Sequence, residues 1–94
     1  MSLKIRNTKE VLYVKGDHVV IKGTPGVVYM IFDDEIPVME ILEELRVKIR
    51  EHSAFFKGSF NICVTGREFT NSDKLRISCV MKTILPEASV RYDS

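Results

Sequence analysis

The side chains that could do chemistry in this 94-residue chain are two histidines, two cysteines and a cluster of glutamates. His18 and His52 lie in different predicted elements, and neither has a cysteine or carboxylate at metal-ligand spacing. Glu40, Glu43 and Glu44 share one side of a predicted helix, where carboxylates could bind a cation or transfer protons. No second set of ligands accompanies them, so we interpret them as a solvated helix face and predict no metal site.

Cys63 and Cys79 both fall within apolar periodic segments, and neither has a histidine near in sequence to act as a base. We therefore expect two buried thiols in a reducing compartment rather than a disulfide or a nucleophile. The glycines form no phosphate-binding fingerprint, because no glycine-rich loop joins a strand to a helix start. The sequence predicts no enzyme, no catalytic residue and no cofactor.

Composition and charge narrow the remaining functions. The hydrophobic content of 45% is typical of a globular domain. A net charge of +1 gives no general field for holding nucleic acid or anionic lipid, so we expect neither as a partner. No apolar run has the length of a membrane span, and the first ten residues lack the apolar core of a signal peptide. We expect a cytoplasmic protein without direct membrane insertion.

The elements that would position functional residues begin with a predicted hairpin. Two runs rich in β-branched and aromatic residues, 18–23 and 27–32, flank the turn sequence TPG. In that turn, Pro25 presets φ for the second position and Gly26 supplies a positive φ at the third.

An amphipathic helix is predicted after the hairpin, ending near His52. Its apolar positions recur at i, i+4, i+7 and i+11, and they are Val38, Leu42, Leu45 and Ile49. Asp33 and Asp34 are candidate caps, and Pro37 suits the first turn. Acidic residues come before and early in this helix and basic residues late, which complements the helix dipole and leaves a charged docking face as an alternative.

The second half of the chain predicts a strand, a helix and a final strand. Residues 60–65 alternate as a strand, and residues 88–92 form a short β-prone run. Between them, Thr70 and Asp73 have the spacing of a capping box, and Pro86 ends the helix. The apolar face of this second helix is formed by Ile77, Val80, Met81 and Ile84.

The order ββαβαβ predicts an α/β (α+β) two-layer sandwich, with a mixed four-stranded sheet and two helices on one face. We assign residues 18–94 to this domain and residues 1–17 to an N-terminal extension. Within that extension, residues 11–14 are β-prone and the sequence KGD could turn them back as an extra strand. A loose extension is the alternative.

The loop sequence SAFFKG at residues 53–58 places two aromatic side chains where a polar loop would be expected. If both Phe55 and Phe56 faced the core, an irregular segment would need two opposed burial directions, so we expect one ring to be partly exposed. An exposed ring beside Lys48 and Lys57 would suit a protein-binding hot spot. The alternative is that both rings close the open end of the sandwich.

Together with the order of the elements, the sequences IKGTPG at 21–26 and SAFFKG at 53–58 resemble the N-terminal domain of MinC, the bacterial septum site-determining protein. The resemblance covers about residues 18–92. It implies a cell-division inhibitor domain that binds FtsZ, the tubulin-like division GTPase, and antagonises its polymers so that septa do not form at wrong sites. It also implies partner-binding roles for Lys22, Gly23, Lys48 and Phe55. We expect these to form one patch near the strand edge at Gly23.

Members of the MinC family continue into a second, β-helical domain that dimerises and binds the ATPase MinD. We expect this chain to be a fragment without that domain, so that MinD would be reached only through the missing part of the full-length protein. An exposed last strand at residues 88–92 could pair with a second copy, which leaves a homodimer open.

A phospho-regulated domain similar to the antisigma-factor antagonists is the alternative function. Such small α/β domains present a phosphorylatable residue at the start of a helix, where the dipole favours a phosphate. Thr70 and Ser72 are the candidates here, although the surrounding residues match that family poorly.

Overall fold

The structure is a computed structural model that describes residues 12–24, 26–57 and 60–93. These residues form an α+β fold with a mixed sheet and two helices. In chain order the elements are β1 (Leu12–Lys15), β2 (Val19–Thr24), β3 (Val27–Phe32), α1 (Val38–Glu51), β4 (Phe60–Thr65), α2 (Asn71–Ile84) and β5 (Ala88–Asp93).

The five strands lie side by side in their chain order. The β1–β2 and β2–β3 pairs are antiparallel, whereas the β3–β4 and β4–β5 pairs are parallel. The β2–β3 hairpin turns at Gly26, whose φ of 94° is the positive value expected of it, while Pro25 lies outside the described residues. The two parallel connections each contain one helix, as parallel neighbours require.

The predicted count of four strands is wrong, because β1 adds a fifth. The N–H of Gly16 donates to the carbonyl oxygen of Val19 at 2.8 Å, which closes the turn and returns the chain onto β1. Leu12 then pairs opposite Gly23. Because β2 has a paired strand on both sides, Gly23 lies inside the sheet. The sequence had led us to expect it at the sheet edge, and that expectation is wrong.

The hydrophobic core lies between one face of the sheet and both helices. Alternate residues of the central strands are buried on that face, namely Val19, Ile21, Val28, Met30, Phe32, Ile62 and Val64. They form one cluster with the buried helical side chains, namely Val38, Ile41, Leu42, Leu45, Ile49, Ile77 and Met81. The predicted stripe of α1 is therefore confirmed, with Ile41 added. Both helices cover the same face of the sheet.

The start of α1 differs from the prediction. Pro37 is the N-cap residue and no side chain caps the helix. Asp33 instead accepts a hydrogen bond at its Oδ1 from the N–H of Glu35 at 2.9 Å, which stabilises a turn before the helix. Neither Asp33 nor Asp34 serves as the cap, because the helix begins only at Val38, after Pro37 in an extended conformation with φ −57° and ψ 139°.

The capping box predicted for α2 is confirmed. The Oγ1 of Thr70 accepts from the N–H of Asp73 at 3.0 Å, and Oδ2 of Asp73 accepts from the N–H of Thr70 at 3.2 Å. Two N–H groups that lack helical partners are thereby satisfied. The helix ends at Ile84, with Leu85 as C-cap and Pro86 following.

The cysteine prediction is half wrong. Both thiols are free, and Cys63 is buried, but Cys79 is exposed. Ile77 and Met81 face the core from α2. Cys79, midway between them, lies about 200° around the helix from Ile77 and therefore on the solvent side. Within the described part of the chain, neither helix has the length and hydrophobicity needed to cross a membrane.

Candidate functional site

The exposed aromatic ring of the chain's central loop belongs to Phe55. After α1, the chain makes two successive tight turns, in which Phe55 N–H donates to the carbonyl of His52 at 3.0 Å and Phe56 N–H donates to that of Ser53 at 3.1 Å. Phe56 is buried, whereas Phe55 is 40% exposed. The two rings meet edge to face, with centroids 5.2 Å apart. The two turns thus place the Phe56 ring in the core and hold the Phe55 ring against it at the surface.

The inner edge of the Phe55 ring packs on Gly23 of β2. A Cβ atom at Gly23 would stand 2.5 Å from Cζ and 2.8 Å from Cε2 of Phe55, and 3.3 Å from Cβ of Leu12. Glycine weakens a strand interior, so its presence in β2 calls for a local reason. That reason is the close approach of the ring, since Gly23 has no positive φ. Two of the four predicted site residues are therefore in direct contact.

Lys48 lies on the same side of the domain as this contact. One turn earlier on α1, the carboxylate of Glu44 accepts a hydrogen bond from the N–H of His18, at 3.0 Å to Oε1 and 3.1 Å to Oε2. This bond places that flank of α1 beside the turn between β1 and β2. Residues i and i+4 of a helix share a flank, so Lys48 also lies toward β1 and β2. Its Nζ is 3.9 Å from Oε1 of Glu51.

Lys22 is separated from the other three predicted residues. Side chains alternate along a strand, and since Ile21 and Gly23 are buried under the helices, Lys22 points from the opposite face of the sheet. There it is exposed, and its strand neighbours in register are Tyr13 and Tyr29. The expected single patch of four residues is not present. Gly23, Lys48 and Phe55 share the helix side, and we call these three residues the Phe55 surface.

The region beside Phe55 is concave and basic. A hollow of about 210 Å³ lies between Phe55, Lys57 and Phe60, and a second of about 270 Å³ lies on the other side of Lys57. The cations near this end of the domain are Arg46, Lys48, Arg50 and Lys57. They outnumber the nearby acids, which are Glu51 beside Lys48 and Glu87 in the lining of the second hollow. A partner side chain could enter these hollows, and the surrounding charge favours an acidic partner.

Arg67 is a positioning residue to which the sequence assigned no role. Its Nη1 donates to the carbonyl oxygen of Asp33 at 2.9 Å and to that of Ile36 at 2.6 Å, which fixes the loop leading into α1. Gly66 has a φ of 107° and passes close to the backbone of Phe32. The parallel pairing of β3 and β4 could have indicated this role. The carboxyl ends of parallel neighbours meet at one edge, so Arg67, just after β4, lies near the loop that follows β3.

Thr70 and Ser72, the two candidate residues for a phosphorylation switch, lie in different environments at the start of α2. The hydroxyl of Thr70 is engaged in the capping box, so a phosphate on it would break that motif and bring negative charge beside Asp73. Ser72 is exposed in the first turn of α2. Among the described residues, no group of three histidine, cysteine, aspartate or glutamate side chains is arranged to hold a metal ion.

No protein-family model matches this chain, and comparisons with curated proteins and with solved structures also gave no match. Its function is therefore inferred from its residues and their geometry.

Proposed function

We propose that this chain is a bacterial cell-division inhibitor domain that binds FtsZ and antagonises its polymers, as its resemblance to the MinC N-terminal domain implies. The observation that supports the proposal most is the Phe55 ring, which is seated on Gly23 and yet 40% exposed. In this proposal the domain works in the cytoplasm without a cofactor. MinD would bind only a further domain of the full-length protein.

The Phe55 surface has the properties of a binding hot spot. Such sites are built around a large apolar side chain that is held rigidly and surrounded by polar residues. Here the ring of Phe55 is held by Gly23 on one side and by Phe56 on another, so binding would cost little conformational entropy. Lys48 and Lys57 supply positive charge around it. FtsZ proteins are acidic as a family, so these lysines would accelerate encounter.

Lys22 does not belong to the same proposed contact surface as Gly23, Lys48 and Phe55. Because it lies on the opposite face of the sheet, a partner bound at Phe55 would contact Lys22 only by reaching around β1. Substitution of Lys22 therefore has to be tested separately from substitution of Phe55.

The test is sedimentation of FtsZ polymers with GTP, with and without the purified chain. We expect the chain to reduce the pelleted polymer and Phe55→Ala to weaken that effect by about 1–3 kcal/mol, or roughly 5- to 150-fold in the concentration needed. Lys48→Glu should weaken it as well. Leu75→Ala is the matched control for the aromatic change, because Leu75 is an apolar side chain on α2 that is 73% exposed.

Lys82→Glu is the matched control for Lys48→Glu, because both lysines lie in the last turn of a helix and lose the same dipole interaction. Circular dichroism establishes that each variant is folded. If the folded wild-type chain leaves the pellet unchanged at high excess, FtsZ is not the partner. If the chain is active and Phe55→Ala is equally active, the Phe55 surface is not the site.

A further inference from the structure

One face of the sheet is uncovered in the described part of the structure. Purely parallel sheets are normally covered on both faces, whereas sheets with antiparallel strands can leave one face in solvent. Here β3, β4 and β5 are parallel, yet α1 and α2 both cover the same face. The other face carries partly exposed aliphatic side chains, including Val20 and Ile31. In the described structure this face is therefore accessible to a partner.

The strand register places a row of aromatic and basic side chains straight across this face. Each residue pairs with the next, and the row, which we call the Tyr-Lys row, consists of Tyr13, Lys22, Tyr29, Cys63 and Arg91. Adjacent strands are about 4.8 Å apart, so the row extends over roughly 19 Å. Tyr13 is 59% exposed and Tyr29 is 36% exposed, whereas Cys63 is buried among its neighbours.

The charge of this face is positive. Lys15, Lys22 and Arg91 point outward from their strands, and Asp93 is the acidic residue among the outward strand positions that the structure describes. The net charge of +1 for the whole chain therefore averages over a basic sheet face and an acidic region around the start of α1. A second copy docking through the same face would bring like charges together, so the charge disfavours a face-to-face dimer.

We propose that the uncovered sheet face binds single-stranded nucleic acid, with Tyr13 and Tyr29 stacking on bases and Lys22 and Arg91 contacting phosphates. Proteins that bind single strands combine aromatic platforms with a basic surface that follows the backbone. Tyr13 and Tyr29 are two strands apart, about 10 Å, with Lys22 between them. An acidic protein surface is the alternative occupant, and the test below distinguishes it from a single strand.

This site is independent of the proposed FtsZ contact, because it lies on the other face and shares only Lys22 with the residues predicted for that contact. The probe is a fluorescently labelled oligouridylate of about 12 nucleotides, within the usual range of site sizes. Binding is followed by fluorescence anisotropy while the salt concentration is raised from about 50 to 200 mM. With the two phosphate contacts of Lys22 and Arg91, log K should fall with log salt with a slope of about −1.4.

The variants separate stacking from charge. We expect Tyr29→Ala to weaken binding about tenfold or more at every salt concentration, and Tyr13→Ala to act in the same direction. Arg91→Glu should weaken binding and reduce the salt slope by about 1. Phe55→Ala is the matched control, because it removes an exposed ring from the other face and should leave oligonucleotide binding unchanged. Tyr29→Ala in turn should leave FtsZ sedimentation unchanged, so the two proposals can fail separately.

Three results would overturn the proposal. The first is the absence of binding by the folded chain at low salt. The second is binding that the double variant Tyr13→Ala/Tyr29→Ala retains in full, since the rings then do no stacking. The third is equally tight, tyrosine-dependent binding of labelled polyglutamate, which would make the face a docking site for an acidic protein.

Discussion

The contact between Gly23 and Phe55 gives a quantitative prediction about stability. In Gly23→Ala, the new Cβ would stand 2.5 Å from Cζ of Phe55, whereas ordinary contact begins at 3.4 Å, so the atoms must separate by about 0.9 Å. Overpacking of this size costs about 1–3 kcal/mol. Alanine also restricts the unfolded chain, which stabilises the fold by about 0.4–1 kcal/mol. We expect Gly23→Ala to lower the free energy of unfolding by about 0.5–2 kcal/mol.

Gly23→Ala should have a different effect on the free energy of unfolding when the Phe55 ring is absent. The Phe55 residue is 40% exposed, so its removal loses the burial of roughly 120 Å², and we expect Phe55→Ala to cost about 3 kcal/mol. In that background, Gly23→Ala no longer meets the ring and should be neutral or stabilising. The contact with Leu12 persists in both backgrounds and cancels. The unfolded-state effect of alanine also cancels, so the double-mutant cycle should give a coupling energy equal to the overpacking cost, about 1–3 kcal/mol.

The assay is guanidinium unfolding followed by far-UV circular dichroism, with the free energies compared at a common slope. The same cycle between Gly23→Ala and Leu75→Ala is the control, because Leu75 lies on α2 among the exposed residues and should show additivity. A coupling between Gly23 and Phe55 within about 0.5 kcal/mol of zero would refute the packing argument. The glycine would then need another explanation.

Two further predictions concern the loop before α1 and the reactivity of the two thiols. Arg67→Ala should lower the free energy of unfolding by about 1–3 kcal/mol, because two loop carbonyls lose their donor, whereas Arg76→Ala on the exposed side of α2 should cost little in the same denaturant titration. In the folded chain, a colorimetric thiol reagent should label Cys79 rapidly and Cys63 only after denaturant is added. Two thiols that react at the same rate without denaturant would contradict the burial of Cys63.

Much of the fold follows from hydrophobic periodicity. The stripe of α1 and the capping box of α2 were predictable because each motif depends on residues three or four positions apart. The same local geometry could have corrected two errors. A strand period of two places Lys22 opposite Gly23, although the family resemblance groups them as neighbours. A helical period of 3.6 places Cys79 opposite the buried stripe.

The site itself was less predictable, because its contacts join distant parts of the chain. Nothing local shows that the ring of Phe55 rests on Gly23, since that contact depends on where α1 ends relative to β2. The acceptors of Arg67 are backbone carbonyls, which every residue carries and no sequence pattern marks. The exposure of Phe55 rather than Phe56 depends on the two turns after α1, whose direction the sequence SAFFKG does not fix.

The strand order of the sheet also bears on how the chain folds. Because β1 to β5 pair in the order in which they are synthesised, each strand after β1 has one neighbour already made when it leaves the ribosome. The antiparallel pairs close over short turns, and each parallel pair needs only one helix between its members. The antiparallel closures cost little chain entropy, whereas the parallel pairs join residues 34 and 28 positions apart and are expected to form more slowly. The sheet can thus grow from one edge to the other, and no strand has to be inserted between two that are already paired.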